Sequence, residues 1–321
     1  VARVVVVTGA GYGAGRAIAE AFGHRGDAVA LLSRGTDSLA AAERELPRAF
    51  SIPTDVADHD AVEAAAARVE AELGAIDVWV NAAMATIFAP FHDVTPEEYR
   101  RATEVTYLGY VWGTMAALRR MRSRDRGVIV QVGSAVAYRS IPLQAPYCGA
   151  KHAIVGFTDS LRTELLHDRS NVRLTSVHLP ALDTPQFDVG RSRLPRRPQP
   201  VPPIFDPAVA ADAVVWASEH ERREVWVGGS TALAILGQRV APWLGDGYLA
   251  RTGYRAQQDT ESDDPGRPDN LFAPVPGVRD ARGRFGSRSR TSSLQLGLTM
   301  HRDLLLAAAG VAAIVRALRR R

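Results

Sequence analysis

Lysine is almost missing from this chain. Of the 39 side chains counted as Lys or Arg in 321 residues, one is lysine, Lys151, and all the others are arginine. Cysteine is equally scarce, with Cys148 the single example. One cysteine excludes an internal disulfide and suits a reducing compartment. Long apolar runs are missing too. None reaches the roughly 20 residues that a spanning helix needs. The opening "VARVVVVTGA" passes directly from a short apolar run into a glycine loop, without the longer apolar stretch and small-residue cleavage site of a signal peptide. A cytoplasmic location is therefore expected.

The charge is unevenly placed. From Pro276 to Arg321, ten arginines stand against Asp280 and Asp303, a net of +8 in a chain whose total is +4. The preceding 275 residues thus sum to −4 by subtraction, and the basic character belongs to the tail. Nucleic-acid binding would rest on that tail charge alone, and no nucleic acid and no metal are expected.

Nearly half of the chain is apolar, enough to bury a core. Seven runs rich in β-branched residues read as strands: "RVVVV", "AVALLS", "AFSIP", "IDVWVN", "GVIVQVGS", "NVRLTSVHLP" and "EVWVGG". Helix-length segments lie between most of them, at 13–25, 37–46, 58–73, 96–122, 146–167 and 207–218. Such alternation predicts an α/β fold, a doubly wound parallel sheet of about seven strands with helices on both faces. In "TPEEY", Thr95 suits an N-cap, Pro96 the first helical position and Glu98 the partner of a capping box.

The expected organisation is a catalytic domain over 1–254, a polar irregular segment over 255–293 and a C-terminal apolar and basic helix over 294–321. The insertion at 183–207, rich in Pro and Arg, reads as a lid or binding loop. Its Phe187, Leu194, Ile204 and Phe205 suggest apolar contacts, while Arg191, Arg193, Arg196 and Arg197 either attract an acidic group or are simply solvated. Chain that is irregular or poorly ordered is expected over 255–293. In the last segment, Leu304 to Val315 is apolar on all faces, about 18 Å of helix against a hydrocarbon core of about 30 Å. It cannot span. It either docks on protein, lies on an anionic lipid surface such as the inner membrane, or is disordered.

Between the first strand and helix, Gly9, Gly13 and Gly15 of "TGAGYGAG" suit a tight turn that brings backbone close to a pyrophosphate at a helix N-terminus. The second strand ends in Ser33 and Arg34, where NAD-binding sheets commonly carry an acid. Arginine pairs with a 2′-phosphate, so NADP is expected over NAD; the alternative is an ordinary surface arginine. Asp55 either accepts from an adenine amine or caps the segment after it.

Both rare residues fall in "YCGAK", residues 147–151. Tyr147 and Lys151, four apart, share one face of a helix. Lysine is a compact point charge, arginine a rigid fork, so a lone lysine suggests a place where the fork would not serve.

Together these residues resemble the short-chain dehydrogenase/reductase family. "TGAGYGAG" is similar to its Thr-Gly-xxx-Gly-x-Gly, "YCGAK" to its Tyr-xxx-Lys, and Ser134 stands thirteen residues before Tyr147, as the family's serine does. The resemblance covers about residues 3–230. It implies a Rossmann fold and an oxidoreductase that interconverts a carbonyl and an alcohol of a small molecule. It also implies that Tyr147 is the acid/base, that Lys151 holds the nicotinamide ribose and lowers the tyrosine pKa, and that Ser134 orients the substrate. Thr8, Gly9, Gly11, Tyr12, Gly13, Gly15, Ser33, Arg34, Asp55, Val56, Asn81, Lys151 and Thr184 would form the cofactor site, and a homo-oligomer is expected.

Three departures stand out. The family's Asn-Asn-Ala-Gly is "NAAM" here, keeping Asn81 but placing Met84 beside the nicotinamide. Thr106 takes the place of the catalytic asparagine and offers one hydroxyl to a water. "PALDT" is one residue shorter than the family's Pro-Gly-xxx-Thr, ending on Thr184. These departures are the support for the alternative reading, a dinucleotide-binding protein with little turnover. Cys148 reads as a core residue rather than a reactive thiol.

Overall fold

Seven β-branched runs build one sheet: β1 (Val4–Thr8), β2 (Ala28–Ser33), β3 (Ala49–Pro53), β4 (Val78–Asn81), β5 (Gly127–Ser134), β6 (Val172–Leu179) and β7 (Glu224–Trp226). The computed structural model describes residues 2–302. The strands run in the order β7-β6-β5-β4-β1-β2-β3, and every pairing is parallel. Side chains alternate between two cores. Val5 and Val7 turn toward Ile18 and Phe22 of α1 (Gly13–His24), and α7 (Pro207–Glu219) packs on the same side. Val4 and Val6 turn toward Val62 and Val69 of α3 (His59–Leu73), and toward Ala117 and Met121 of α5 (Gly109–Arg122). A strand buried on both faces reads as a continuous apolar run, which is why "VVVV" is a strand.

The helices α2 (Thr36–Glu45), α4 (Pro96–Thr103) and α6 (Ala145–His167) complete the α/β body. Thr95 and Glu98 form the expected capping box, each side chain accepting from the other's backbone N–H. The single helix expected over 96–122 is divided. A π-helical turn, Glu104–Leu108, separates α4 from α5 and contains Thr106.

Beyond β7 the chain continues as α8 (Gly229–Val240) and α9 (Pro242–Ala256). It then runs back over the body. The strand Gln258–Ser262 pairs antiparallel with Arg196–Pro198 of the 183–207 insertion. Ser289–Arg290 pairs with Ile204–Phe205, which also pairs with Ala181–Leu182. The segment between these strands has little regular structure, yet it is packed into place: Leu271 and Phe285 are buried. It is not loosely held chain. A short helix, α10 (Leu294–Met300), follows. The apolar and basic stretch 303–321 lies outside the described residues. Among the described residues, no helix is long and apolar enough to cross a membrane.

The insertion lines a cavity with Phe187 and residues 200–203, and its other apolar residues pack within the protein. Leu194, Ile204 and Phe205 are buried in the protein's cores, the first two beside Phe285 of the extension. Three of its four arginines pair with acids, and Arg196 is exposed. Arg191 and Arg193 both bond the Glu98 carboxylate, at 2.7 and 2.6 Å, and Arg197 pairs with Asp188 and Glu261. The sequence showed the arginines but not these pairings, and two of the acids, Glu98 and Glu261, come from distant segments.

Glu98 therefore ties α4 to the insertion while capping its own helix. Burial pushes its carboxyl up, but hydrogen bonds from Arg193, the Thr95 backbone and Arg191 outweigh this and hold the pKa at about 2. A carboxyl depressed on folding adds stability above its unfolded value of about 4.3, and that stability is lost as pH falls. Glu98→Gln is expected to lower stability at pH 7 by about 1.5–3 kcal/mol. In denaturant titrations, the gap between variant and wild type should close between pH 4.5 and about 2. A gap that is independent of pH would assign the effect to packing.

Candidate active site

The order of the sheet reverses beside β1, which lies between β2 and β4. Ligands of doubly wound sheets bind in the crevice outside the strand ends at such a point. A cavity of about 760 Å³ opens there. Gly9, Tyr12, Gly13, Gly15, Ser33, Arg34, Asp55 and Val56 line one end, and Met84, Ser134, Tyr147, Lys151 and Thr184 line its middle. The far end is lined by Pro200, Val201, Pro202, Pro203, Leu233, Leu244 and Tyr248.

The glycine turn is shaped for close approach. Gly9 has φ +71°, and a Cβ there would sit 2.7 Å from the Ala83 Cα. A Cβ on Gly15 would stand 2.2 Å from the Gly9 carbonyl oxygen, so the helix can start against the strand only if this residue lacks one. The N-terminus of α1 thus reaches the cavity wall, where its partial positive charge suits a pyrophosphate.

Tyr147 and Lys151 lie on the first turns of α6, and Ser134 ends β5. Lys151 is 2 % exposed, and its ammonium donates to the Val132 carbonyl at 2.7 Å and to the Tyr110 hydroxyl at 2.9 Å. These two bonds leave one ammonium proton for a ligand. Burial lowers the Lys151 pKa to about 7. Tyr147 shifts the other way: burial pushes its phenol above the ordinary value, and the Ser134 hydroxyl offsets this only in part. The free protein therefore holds Tyr147 as the neutral phenol, where the resemblance implies a tyrosine pKa lowered by Lys151. The ammonium lies 5.6 Å from the Tyr147 ring centre and 4.6 Å from that of Tyr110, so its nearer aromatic neighbour is Tyr110.

Four residues expected in the site stand behind its wall. Asn81 is fully buried: its oxygen accepts from Trp79 at 2.8 Å, and its amide donates to Gln131 at 2.9 Å and Thr114 at 3.1 Å. Thr8 accepts from the backbone N–H groups of Ala82 and Ala83. Gly11 packs against Ser33. Thr106 accepts from the Ala85 N–H and donates to the Ala85 carbonyl, both at 2.9 Å. Its one proton is thus spent on fixing the "NAAM" loop, and the groups that touch Lys151 are Tyr110 and Val132. Cys148 is buried, and burial raises its thiol pKa.

Asp55 accepts from Arg101 and from the Ala57 N–H. Arg34 donates to the backbone carbonyls of Asn270, Leu271 and Phe272. The extension thereby forms part of the wall at this end, and Asn270 lines the cavity. Sequence reasoning missed both Tyr110 and Asn270. Tyr110 follows Thr106 by four residues, a helical spacing that was available to find it. Asn270 lies in chain with no periodicity, and nothing local marks it.

A family described as short chain dehydrogenase matches residues 3–193. An uncharacterized oxidoreductase, YxnA, of Bacillus subtilis is 30% identical over 89% of this chain and 83% of its own. A short-chain dehydrogenase structure from Streptomyces avermitilis aligns with TM-score 0.67 and 29% identity, covering 78% of this chain and 97% of that one. An alcohol dehydrogenase from Thermococcus sibiricus, complexed with 5-hydroxy-NADP, aligns with TM-score 0.60 and 26% identity, covering 71% and 96%. With the glycine turn, the reversed sheet and the Ser134, Tyr147 and Lys151 cluster in one cleft, the chain belongs to the short-chain dehydrogenase/reductase family, an oxidoreductase of CH–OH groups that uses a nicotinamide dinucleotide.

Proposed function

We propose that the protein interconverts a ketone or aldehyde and its alcohol on an apolar small molecule, with NADP(H) as the dinucleotide. The observation that carries this reading is the buried Lys151 ammonium beside Tyr147 and Ser134, in the same cleft as the glycine turn. A protein that only bound dinucleotide would not need a tyrosine, a serine and a buried ammonium together.

When bound, the dinucleotide supplies or accepts the hydride at the substrate carbon. Ser134 donates a hydrogen bond to the substrate oxygen and orients it. In reduction, Tyr147 gives its phenolic proton to that oxygen as the alcohol forms. Its raised pKa in the free protein suits an acid that holds its proton until then. Lys151, with one proton free, donates to a ribose hydroxyl of the nicotinamide half and stabilises the tyrosinate left behind. In oxidation the same groups act in reverse, with the tyrosinate taking the alcohol proton.

The far wall favours an apolar substrate. Leu233, Leu244, Tyr248 and Val201 line it, and Arg139 there is already tied to Asp246 and Gln238. Arg34, held by three backbone carbonyls, keeps its charge where a 2′-phosphate would lie, which favours NADP over NAD. The apolar residues of the far wall, and not an acid-binding group, would set substrate choice.

Turnover of NADPH with a series of ketones of rising chain length tests the activity. kcat/KM should rise by up to about fourfold per methylene until the cavity is filled. Tyr147→Phe should lose about 10²–10⁴-fold in kcat while still binding dinucleotide. Lys151→Arg, which keeps the charge, should still lose about 100-fold because the fork cannot take the ammonium's place between Val132 and Tyr110. Near wild-type turnover in either variant would refute the assigned role.

Arg34→Ala should reduce the preference for NADPH over NADH, measured as a ratio of dissociation constants, by about tenfold or more. An unchanged ratio would mean that Arg34 does not read the 2′ position.

A further inference from the structure

The C-terminal extension is built into the body across the ends of β1 and β2. Asp269 pairs with Arg191 at 2.8 Å, and the Leu271 carbonyl accepts from Arg101 at 3.1 Å. Leu271 is fully buried in the core that contains Ile52 and Val56. Farther on, the Gly277 N–H donates to Asp37, the Arg279 N–H to Ser38, and the Asp280 carbonyl accepts from the Gly13 N–H at 3.1 Å. The extension is therefore fastened to the glycine turn, to the end of β2 and to α2.

Asn270 occupies the point between the first two. Its main-chain carbonyl accepts from Arg34, at the strand end where the ribose 2′ position of a dinucleotide lies. Its side-chain amide donates to the Tyr12 hydroxyl of the glycine turn. The residue is 9 % exposed and belongs to the cavity wall, and its amide oxygen has no hydrogen-bond partner. A buried amide end without a partner is costly and is relieved when a ligand supplies one. A ribose hydroxyl both donates and accepts, so it satisfies this amide whichever way the group is turned.

We propose that Asn270 is a ligand of the adenosine ribose, so that the C-terminal extension, and not the Rossmann core alone, builds the dinucleotide site. This rests on the dinucleotide reading of the cleft given above. Recognition would fall on the adenosine half, far from Tyr147 and Lys151, and would act through binding rather than through the chemical step.

The test measures dissociation constants by calorimetry with three probes: ADP-ribose, 2′-phospho-ADP-ribose and nicotinamide mononucleotide. The full chain is used throughout. In Asn270→Ala, both adenosine-containing probes should bind about tenfold more weakly, with the mononucleotide unchanged. Asn270→Asp keeps an acceptor of the same shape. It should retain ADP-ribose but weaken 2′-phospho-ADP-ribose by charge repulsion, and it stands as the test should the alanine variant not fold. Unchanged affinity of Asn270→Ala for ADP-ribose, or an equal loss for all three probes, would overturn the proposal. If wild type binds neither adenosine-containing probe, the dinucleotide reading itself fails, a result distinct from the other two.

Discussion

A buried ammonium is an expensive group to maintain, and much of this site is arranged around one. Lys151 is removed from water on α6, with the Val132 carbonyl and the Tyr110 hydroxyl as its polar contacts. Desolvation pushes it toward neutrality, which is why its pKa falls to about 7. The neighbouring elements are fixed by that requirement. β5 must present the Val132 carbonyl to the ammonium two residues before Ser134, and α5 must turn Tyr110 inward. Tyr110 in turn donates to the same Val132 carbonyl at 2.9 Å, closing a small network of three groups. Guanidinium, with five donors in a rigid plane, has no such place here.

The second constraint is the return of the chain. A Rossmann body ends with its last strand, but here the residues after β7 cross back and pair with the insertion after β6. Arginine side chains do much of the fastening, from Arg191 and Arg193 on Glu98 to Arg34 and Arg101 on the carbonyls of 270–272. These groups share a property: each bonds an acceptor from a distant segment. The result is that the end of the cleft beside the glycine turn and β2 has a wall made by the extension.

This division explains what could be read beforehand. Strands buried on both faces leave continuous apolar runs, so the sheet was legible. A helix places residues four apart on one face, so Tyr147 and Lys151 were legible as a pair. The Thr95 cap was local and was legible for the same reason. Asn81 and Thr8 carried the family's letters, but whether such a side chain faces a ligand or the protein is decided by neighbours such as Trp79 and Gln131 that spacing does not reveal. The π-helical turn that directs Thr106 to Ala85 has no marker in the sequence. Least legible was the extension. Its polar composition, with Pro, Gly, Ser and Arg, is that of loose chain, and its order comes from long-range contacts that no window of sequence contains.

Under the proposed function, the desolvated Lys151 ammonium would respond to a dinucleotide bound beside it. As Lys151 is the only lysine, labelling lysine with ¹³C gives one side-chain signal, and its pH titration can be followed with and without NADPH. A midpoint of about 7 is expected in the free protein, moving upward when the dinucleotide's phosphates and ribose hydroxyls favour the charged form. A midpoint near the ordinary value of about 10.4, unmoved by NADPH, would contradict it.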